Sequence, residues 1–211
     1  MFKSSQSETP KIELVETDGG EVTLSIDDGQ AMQGWEEQLM HESADILCGY
    51  GSEFLEVGLG LGISTLRIAE HENCRKHVVV EKYKKVIDLF TERHKTLPAT
   101  LQIVQADFLE YVHQLQPASV DGIFFDPYLP EDMCNDEDLW SEIVPLLVRT
   151  LRKGGALIPC FSSYPLLRWQ FVPFFDRVIV ERRSFSSYPE TNYMANQSGN
   201  AFIQCFIKTQ D

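Results

Sequence analysis

Three glycines at alternate positions, Gly58, Gly60 and Gly62, follow the apolar run Phe54-Leu55-Glu56-Val57 and lead into Ile63-Ser64-Thr65-Leu66. Glycine tolerates positive φ and lets another molecule approach the backbone closely. A strand, a tight glycine turn and a helix N-terminus together make a small-molecule edge in an α/β sheet. The spacing here is E-x-G-x-G-x-G, not the G-x-G-x-x-G that rests a pyrophosphate on backbone amides. Glu56, just ahead of the first glycine, would repel a pyrophosphate and suits a cationic ligand. S-adenosylmethionine carries an ammonium and a sulfonium and no phosphate, and it meets that requirement, with Glu56, Gly58, Gly60, Gly62 and Thr65 as its expected turn.

In an open α/β sheet the ligand lies beyond the carboxyl ends of the strands. Glu81 falls at such an end, where one carboxylate can accept both hydroxyls of a ribose. Asp107 follows the next strand in the position for an adenine amino group, and Phe108 is placed to flank the ring.

Two acidic features lie outside this cofactor scaffold. Asp126-Pro127-Tyr128 stands at the tip of the fourth core strand and resembles the D/N-P-P-Y motif with which many amino-group methyltransferases hold their nucleophilic nitrogen. Gly34-Trp35-Glu36-Glu37-Gln38-Leu39-Met40-His41 lies on an upstream helix. Taken with Leu-Glu-Val-Gly-x-Gly, Val-x-x-Glu and Val-Asp-Gly-Ile-x-x-Asp-x-Tyr, the chain resembles the guanidinoacetate N-methyltransferases over about residues 27 to 165. It is similar as well to the related fungal enzyme that methylates the internal nitrogen of arginine.

That resemblance implies a cytoplasmic, S-adenosylmethionine-dependent N-methyltransferase acting on a guanidino nitrogen of a small cationic molecule such as guanidinoacetate, arginine or an arginine derivative. Position by position it implies that Glu36 and Asp126 grip the substrate guanidinium, Asp126 as proton acceptor and Glu36 as orienting partner. It implies that Met40 touches the cofactor, that Trp35 and Tyr128 line the substrate site, and that Ser162 and Ser163 take the place of the loop groups that meet the substrate carboxylate. The pattern departs from the family at Pro127-Tyr128-Leu129-Pro130, where the creatine-forming enzyme has Thr-Tyr-Pro, and in the Cys160–Tyr164 stretch. The alternatives that stay open are methylation of another amine, an aminopropyl transfer on a related fold, and cofactor binding without catalysis.

The elements that must position these groups alternate along the chain. Lys11 to Glu16 and Glu21 to Ile26 read as a hairpin through Thr-Asp-Gly-Gly, closed by Asp27-Asp28-Gly29. The spacing of apolar residues predicts a helix over Ala31 to Leu47, stopped at Gly49-Tyr50-Gly51. Core strands are expected at Phe54–Gly58, His77–Val80, Leu101–Gln105, Val120–Phe125 and Ala156–Phe161, with closing strands at Val178–Phe185 and Ala201–Ile207. Helices are expected at about Ser64–Glu72, up to about Leu97, at Leu109–Gln114 and at Trp140–Arg152. This rhythm predicts a single domain: a doubly wound, mostly parallel seven-stranded Rossmann-like sheet with an antiparallel edge, preceded by a hairpin and helix over residues 1–51.

With 211 residues, a 43% hydrophobic fraction and a 24% charged fraction, the chain can build one good core. The net charge of -14, with only 18 basic residues, argues against a nucleic-acid partner. An acidic field attracts positive ligands instead. No eighteen-residue apolar run is present and Met1 to Lys11 is polar, so neither a membrane span nor a secretory signal is expected. The five scattered cysteines, without a C-x-x-C pair, read as free thiols with no metal role.

Overall fold

The structure is a computed structural model and describes residues 10–210, so most of the polar stretch from Met1 to Lys11 lies outside the described residues. The chain begins with an antiparallel three-stranded sheet, β1 (Ile12–Glu16), β2 (Val22–Ile26) and β3 (Gly29–Gln33). A 3-10 turn, Gly34–Glu36, leads into helix α1 (Glu37–Cys48). The predicted helix from Ala31 therefore begins late, at Glu37. Residues 29–33 pair with β2 instead, with Met32 opposite Leu24. The three-and-four spacing that includes Met32 and Trp35 arises from a strand running straight into a tight turn.

The core continues through β4 (Glu53–Val57), α2 (Ile63–Ala69), β5 (Lys76–Glu81), α3 (Lys84–Arg93), β6 (Leu101–Gln105), α4 (Phe108–Tyr111) and β7 (Val120–Phe125). A short helix α5 (Glu131–Cys134), which the apolar pattern did not predict, precedes α6 (Glu137–Thr150). Asp136 caps α6 by accepting from the Leu139 amide at 2.9 Å, which starts that helix ahead of the predicted Trp140. The chain closes with β8 (Leu151–Pro159), β9 (Arg177–Ser186) and β10 (Ser198–Ile207).

The seven strands lie in the order β6-β5-β4-β7-β8-β10-β9. Strands β6, β5, β4, β7 and β8 pair in parallel, and β10 runs antiparallel to both β8 and β9. Helix α1 presses closely on the sheet at Gly122, where an added Cβ would stand 2.8 Å from both Leu47 and Phe54. One face of the sheet is covered by α1 residues such as Met40, Ala44 and Leu47, and the other by α6 residues Leu139, Ile143 and Leu147. Leu24 of β2 joins a third cluster with Leu59, Val79, Val86 and Phe90, which seats the N-terminal sheet over the β4–β5 end of the molecule. Truncating a buried leucine of this kind costs about 2–5 kcal/mol, so this docking is a firm part of the fold.

Register decides where the functional groups fall. Val57 is opposite Val80 and Phe125, and Phe125 is opposite Pro159. The next residue on each strand, Glu81, Gly58, Asp126 and Cys160, therefore forms one row across four neighbouring parallel tips. The Gly58, Asp126 and Cys160 amides tie that row by donating to the carbonyls of Val80, Val57 and Phe125 at 2.9, 3.0 and 3.0 Å.

Candidate active site

The glycine turn takes up the left-handed conformations its residues were expected to serve. Gly58, Gly60 and Gly62 have φ of 91°, 52° and 78°. A Cβ on Gly58 would come within 2.3 Å of the Asp126 carbonyl, and one on Gly62 within 2.1 Å of Phe90. Glycine is thus required both by backbone conformation and by the approach of neighbouring chain. Beside the turn lies a cavity of about 760 Å³ whose wall includes Gly58, Gly60, Glu81, Asp107, Phe108 and Tyr128. Leu24, Ile26, Ala31 and Met32 of the N-terminal sheet also line it.

Glu81 is held in this cavity by two backbone donors, Leu59 N–H to Oε2 at 3.0 Å and Tyr83 N–H to Oε1 at 2.7 Å. Burial raises its pKa above the ordinary glutamate range, against the pull of those amides. Asp107 caps α4 by accepting from the Leu109 amide at 3.0 Å, and its other oxygen meets Lys82 Nζ at 3.0 Å. Tyr128 is partly exposed at the cavity wall, with its hydroxyl 3.4 Å from the Ile26 carbonyl.

Glu56 and Thr65 do not line the cavity; they hold it in shape. Glu56 is buried beneath the turn, where Ser64 donates to Oε1 at 2.5 Å and Thr65 to Oε2 at 2.8 Å. His77 Nε2 lies 3.1 Å from the same Oε2 but off the line of a hydrogen bond, and its Nδ1 is buried without a partner. The acid of E-x-G-x-G-x-G thus clamps the first turn of α2 from below, because side chains alternate along a strand and position 56 points into the core. Met40 is likewise removed from the cavity, fully buried in the cluster between α1 and the sheet. The thioether that meets the glycine turn belongs to Met32, whose Sδ accepts from the Leu61 amide at 3.2 Å and would be 2.7 Å from a Cβ on Gly60.

On the other side of the row the acids are less well compensated. Glu36 is buried, with only Oε1 bonded among the described residues: it accepts from the Gln33 amide at 2.7 Å and from the Tyr193 hydroxyl at 2.6 Å. Burial pushes its pKa up to about 7, against the Tyr193 bond and with the help of the Asp126 charge. Asp126 rises to about 6, mainly by burial, with the Cys160 thiol and the Arg168 charge pulling it down and the Glu56 charge pushing it up. The charge of Asp126 helps to retain the Glu36 proton, so the two titrate as a pair. Cys160 shares a cavity wall with Asp126, and its thiol is raised well above the usual range by burial and by both acids.

Trp35 is the floor of an aromatic cluster, stacked on Tyr193 at 6.2 Å and packed against Phe161 and Phe185. Its indole N–H donates to Gln33 Oε1 at 2.9 Å, so it supports Glu36 from behind and does not line the large cavity. Ser162 is spent on the fold. Its amide and carbonyl bridge to Phe202 at 3.1 and 2.7 Å, and its hydroxyl accepts from the Tyr164 amide at 3.1 Å. Neither Ser162 nor Ser163 lines the large cavity or the smaller one beside Asp126, because the chain stays on β10 for one more bridge after β8. Arg168, further along the same loop, lines the smaller cavity beside Asp126. Met32, Tyr193 and Arg168 escaped the sequence reading because each reaches the site through long-range packing that no local motif announces.

The segment between β9 and β10 closes over the N-terminal turn. Thr191 donates to Gln33 Oε1 at 2.6 Å, the Asn192 amide to Gln30 Oε1 at 2.9 Å, and Gln30 Nε2 to the Glu190 carbonyl at 2.9 Å.

Comparison with known proteins gives the family and the fold. The family model described as guanidinoacetate N-methyltransferase matches residues 9–171. Protein arginine N-methyltransferase 2 of Yarrowia lipolytica is 27% identical over 166 residues, which cover 69% of this chain and 32% of that protein. The chain thus spans about a third of the length of the curated relative it matches. Among solved structures, spermidine synthase from Thermotoga maritima superposes with a TM-score of 0.71 at 17% identity, covering 97% of this chain and 71% of the other. The N-methyltransferase NodS from Bradyrhizobium japonicum gives 0.60 at 15% identity, covering 82% and 97%. At those identities the likeness is one of fold, whereas the family match takes in the glycine turn, Glu36 and Asp126 together. The chain belongs to the guanidinoacetate N-methyltransferase family, a branch of the class I S-adenosylmethionine-dependent methyltransferases.

Proposed function

We propose that this protein is an S-adenosylmethionine-dependent N-methyltransferase that modifies a guanidino nitrogen of a small molecule such as guanidinoacetate, arginine or an arginine derivative. The observation that carries the reading is the pair of buried acids, Glu36 and Asp126, raised to about 7 and about 6, with Asp126 on the strand tip next to the glycine turn and in the wall of the smaller cavity. Two desolvated carboxylates that resist ionisation are a poor structural device but a good receptor for a cation, whose arrival lowers both pKa values.

The cofactor fits what the cavity offers. Glu81 presents a carboxylate whose orientation is set by two amides, Asp107 and Phe108 stand further along the wall, and the Gly58–Gly62 backbone leaves space that side chains would fill. Strand spacing places Glu81 and Asp126 about 10 Å apart along the row, so one ligand bound beyond the strand tips can reach both. When bound, S-adenosylmethionine supplies an electrophilic methyl group on a sulfonium.

The chain's own residues then have defined tasks. A guanidinium is planar and always charged in water, so its nitrogens are weak nucleophiles. Asp126 and the unbonded Oε2 of Glu36 hold its N–H edges and orient one nitrogen. As the N–C bond forms that nitrogen must lose a proton, and Asp126, with a pKa near neutrality, accepts it. The product keeps a single positive charge.

Aminopropyl transfer to an amine is a second reading, favoured by the spermidine synthases among the fold neighbours. A panel of guanidino compounds and polyamines, incubated with S-adenosylmethionine and separately with its decarboxylated form, separates the two by product mass. We expect a gain of methyl mass on a guanidino compound and no gain of aminopropyl mass on a polyamine; no methyl gain on any guanidino compound would overturn the reading.

A further inference from the structure

The guanidine reading gives Arg168 no task, yet its placement asks for one. It lies in the loop between β8 and the 3-10 turn Val172–Phe174, half-buried, in the wall of a cavity of about 250 Å³ shared with Asp126, Tyr128, Cys160 and Gln170. Its Nη2 donates to the carbonyls of Cys160 and Phe161 at 3.1 and 3.3 Å, and its amide donates to Gln204 Oε1 at 2.9 Å, so the guanidinium is fixed against the wall. It makes no ion pair within 4.0 Å among the described residues. Its Nε is buried without a hydrogen-bond partner, and so is Oε1 of Gln170 on the same wall.

Arginine cannot shed its charge, and buried charges are ordinarily paired and hydrogen-bonded. A cation fixed near Asp126 also works against the binding of a second cation there. Both costs disappear when the incoming molecule carries its own anion. We propose that Arg168 is a specificity-determining residue that takes the anionic end of the substrate, selecting a guanidino acid whose guanidinium lies at Asp126 and whose carboxylate lies at Arg168. The inference rests on the guanidine reading and narrows it: guanidino compounds with no acid group are excluded. A guanidinium recognises a carboxylate through charge-assisted N–H bonds. Nη2 is already engaged by two carbonyls, and the N–H groups that carry no bond among the described residues are left for the substrate, so that Arg168 does for this chain what the Ser162–Ser163 stretch was expected to do.

The test is calorimetric titration of the full chain, with S-adenosylhomocysteine present, against arginine, guanidinoacetate and agmatine, the last being arginine without its carboxylate. We expect the wild-type protein to bind at least one of the two acids tenfold or more tightly than agmatine. Arg168→Gln should weaken the acids at least tenfold while leaving agmatine unchanged or tighter, and Arg168→Lys should restore part of the preference. Equal binding of agmatine and the acids to wild type overturns the proposal without any variant having to fold. So does a uniform loss across all three ligands in Arg168→Gln, which would mean that Arg168 only braces the loop or balances Asp126. Agmatine methylated as well as the acids leaves the guanidine reading standing and removes Arg168 from it, whereas failure of every guanidino compound to bind removes both.

Discussion

On the glycine-turn side of the strand tips each carboxylate is bonded by groups of the β4–α2 turn or of the segment that follows its own strand. Glu56 takes the Ser64 and Thr65 hydroxyls, Glu81 takes the Leu59 and Tyr83 amides, and Asp107 takes the Leu109 amide. On the β7–β8 side the acids depend on the far end of the chain. Glu36 relies on Tyr193, and Asp126 feels Cys160 and Arg168. One oxygen of Glu36 accepts two bonds and the other accepts none among the described residues. The contrast separates a preorganised surface, where every acceptor has a set direction, from a poised one, where desolvated charge waits for a ligand to pair it. A cofactor common to many enzymes is suited to the first and a particular substrate to the second.

The sharpest way to break this contrast is to remove the acid at the β7 tip. Asp126→Asn keeps shape and takes away the proton acceptor, so kcat should fall by roughly a thousandfold. Affinity for S-adenosylhomocysteine should stay within about twofold, because the donors of the β4–β5 side are untouched. Calorimetry and single-turnover methyl transfer read the two quantities separately, and parallel losses would mean that the two sides are one unit.

The converse change is Glu81→Ala. It removes a carboxylate that two amides aim into the cavity, and the loss of charge-assisted bonds should weaken the cofactor by about 1.5–3 kcal/mol, roughly ten- to a hundredfold. The fold is expected to be retained, as circular dichroism would show, because Glu81 lines a cavity in which water can take over the freed amides. An unfolded variant would show that the amides of Leu59 and Tyr83 need this acid for the fold itself.

The same division explains what could be read from the sequence. The strands and the glycine turn were legible because apolar runs, glycine spacing and strand-end acids are local signals, and β6 and β7 fall on the expected residues. Local patterns erred where a residue's neighbours come from elsewhere. Met32 looks helical beside Trp35 and Leu39 until Leu24 pairs with it across β2. Met40 has the spacing of a site residue, yet it faces the sheet, and the thioether at the turn comes from β3. Ser162 and Ser163 have the chemistry of a substrate loop, but an extra bridge to Phe202 carries them past the cavity. The polar run from Tyr188 to Asn200 offered no periodicity to interpret, and its contribution to the site is one hydroxyl and one ring.

That hydroxyl gives the mildest and most discriminating change. Tyr193→Phe leaves the ring stacked on Trp35 and deletes the bond to Glu36 Oε1. Burial is the main reason that Glu36 stands at about 7, and the Tyr193 bond is what holds it down. Without that bond the pKa must climb further, by about one unit if the bond to the charged form contributes about 1.5 kcal/mol. Glu36 receives a guanidinium only when ionised, so kcat/KM rises with pH through its pKa, and in the variant this acid limb should move to higher pH. Activity should therefore drop about tenfold at pH 6 and recover near pH 9, where the acid is ionised in both proteins. Stability changes with the same sign: an acid whose folded pKa lies above its unfolded value favours folding most below the unfolded pKa and loses that contribution as pH rises through the folded one. The variant should therefore lose stability towards high pH over a window that extends above 7, seen as a steeper fall of melting temperature between pH 6 and pH 9. An acid limb that stays in place would place Tyr193 in the aromatic packing alone and leave the tuning of Glu36 to burial and Asp126.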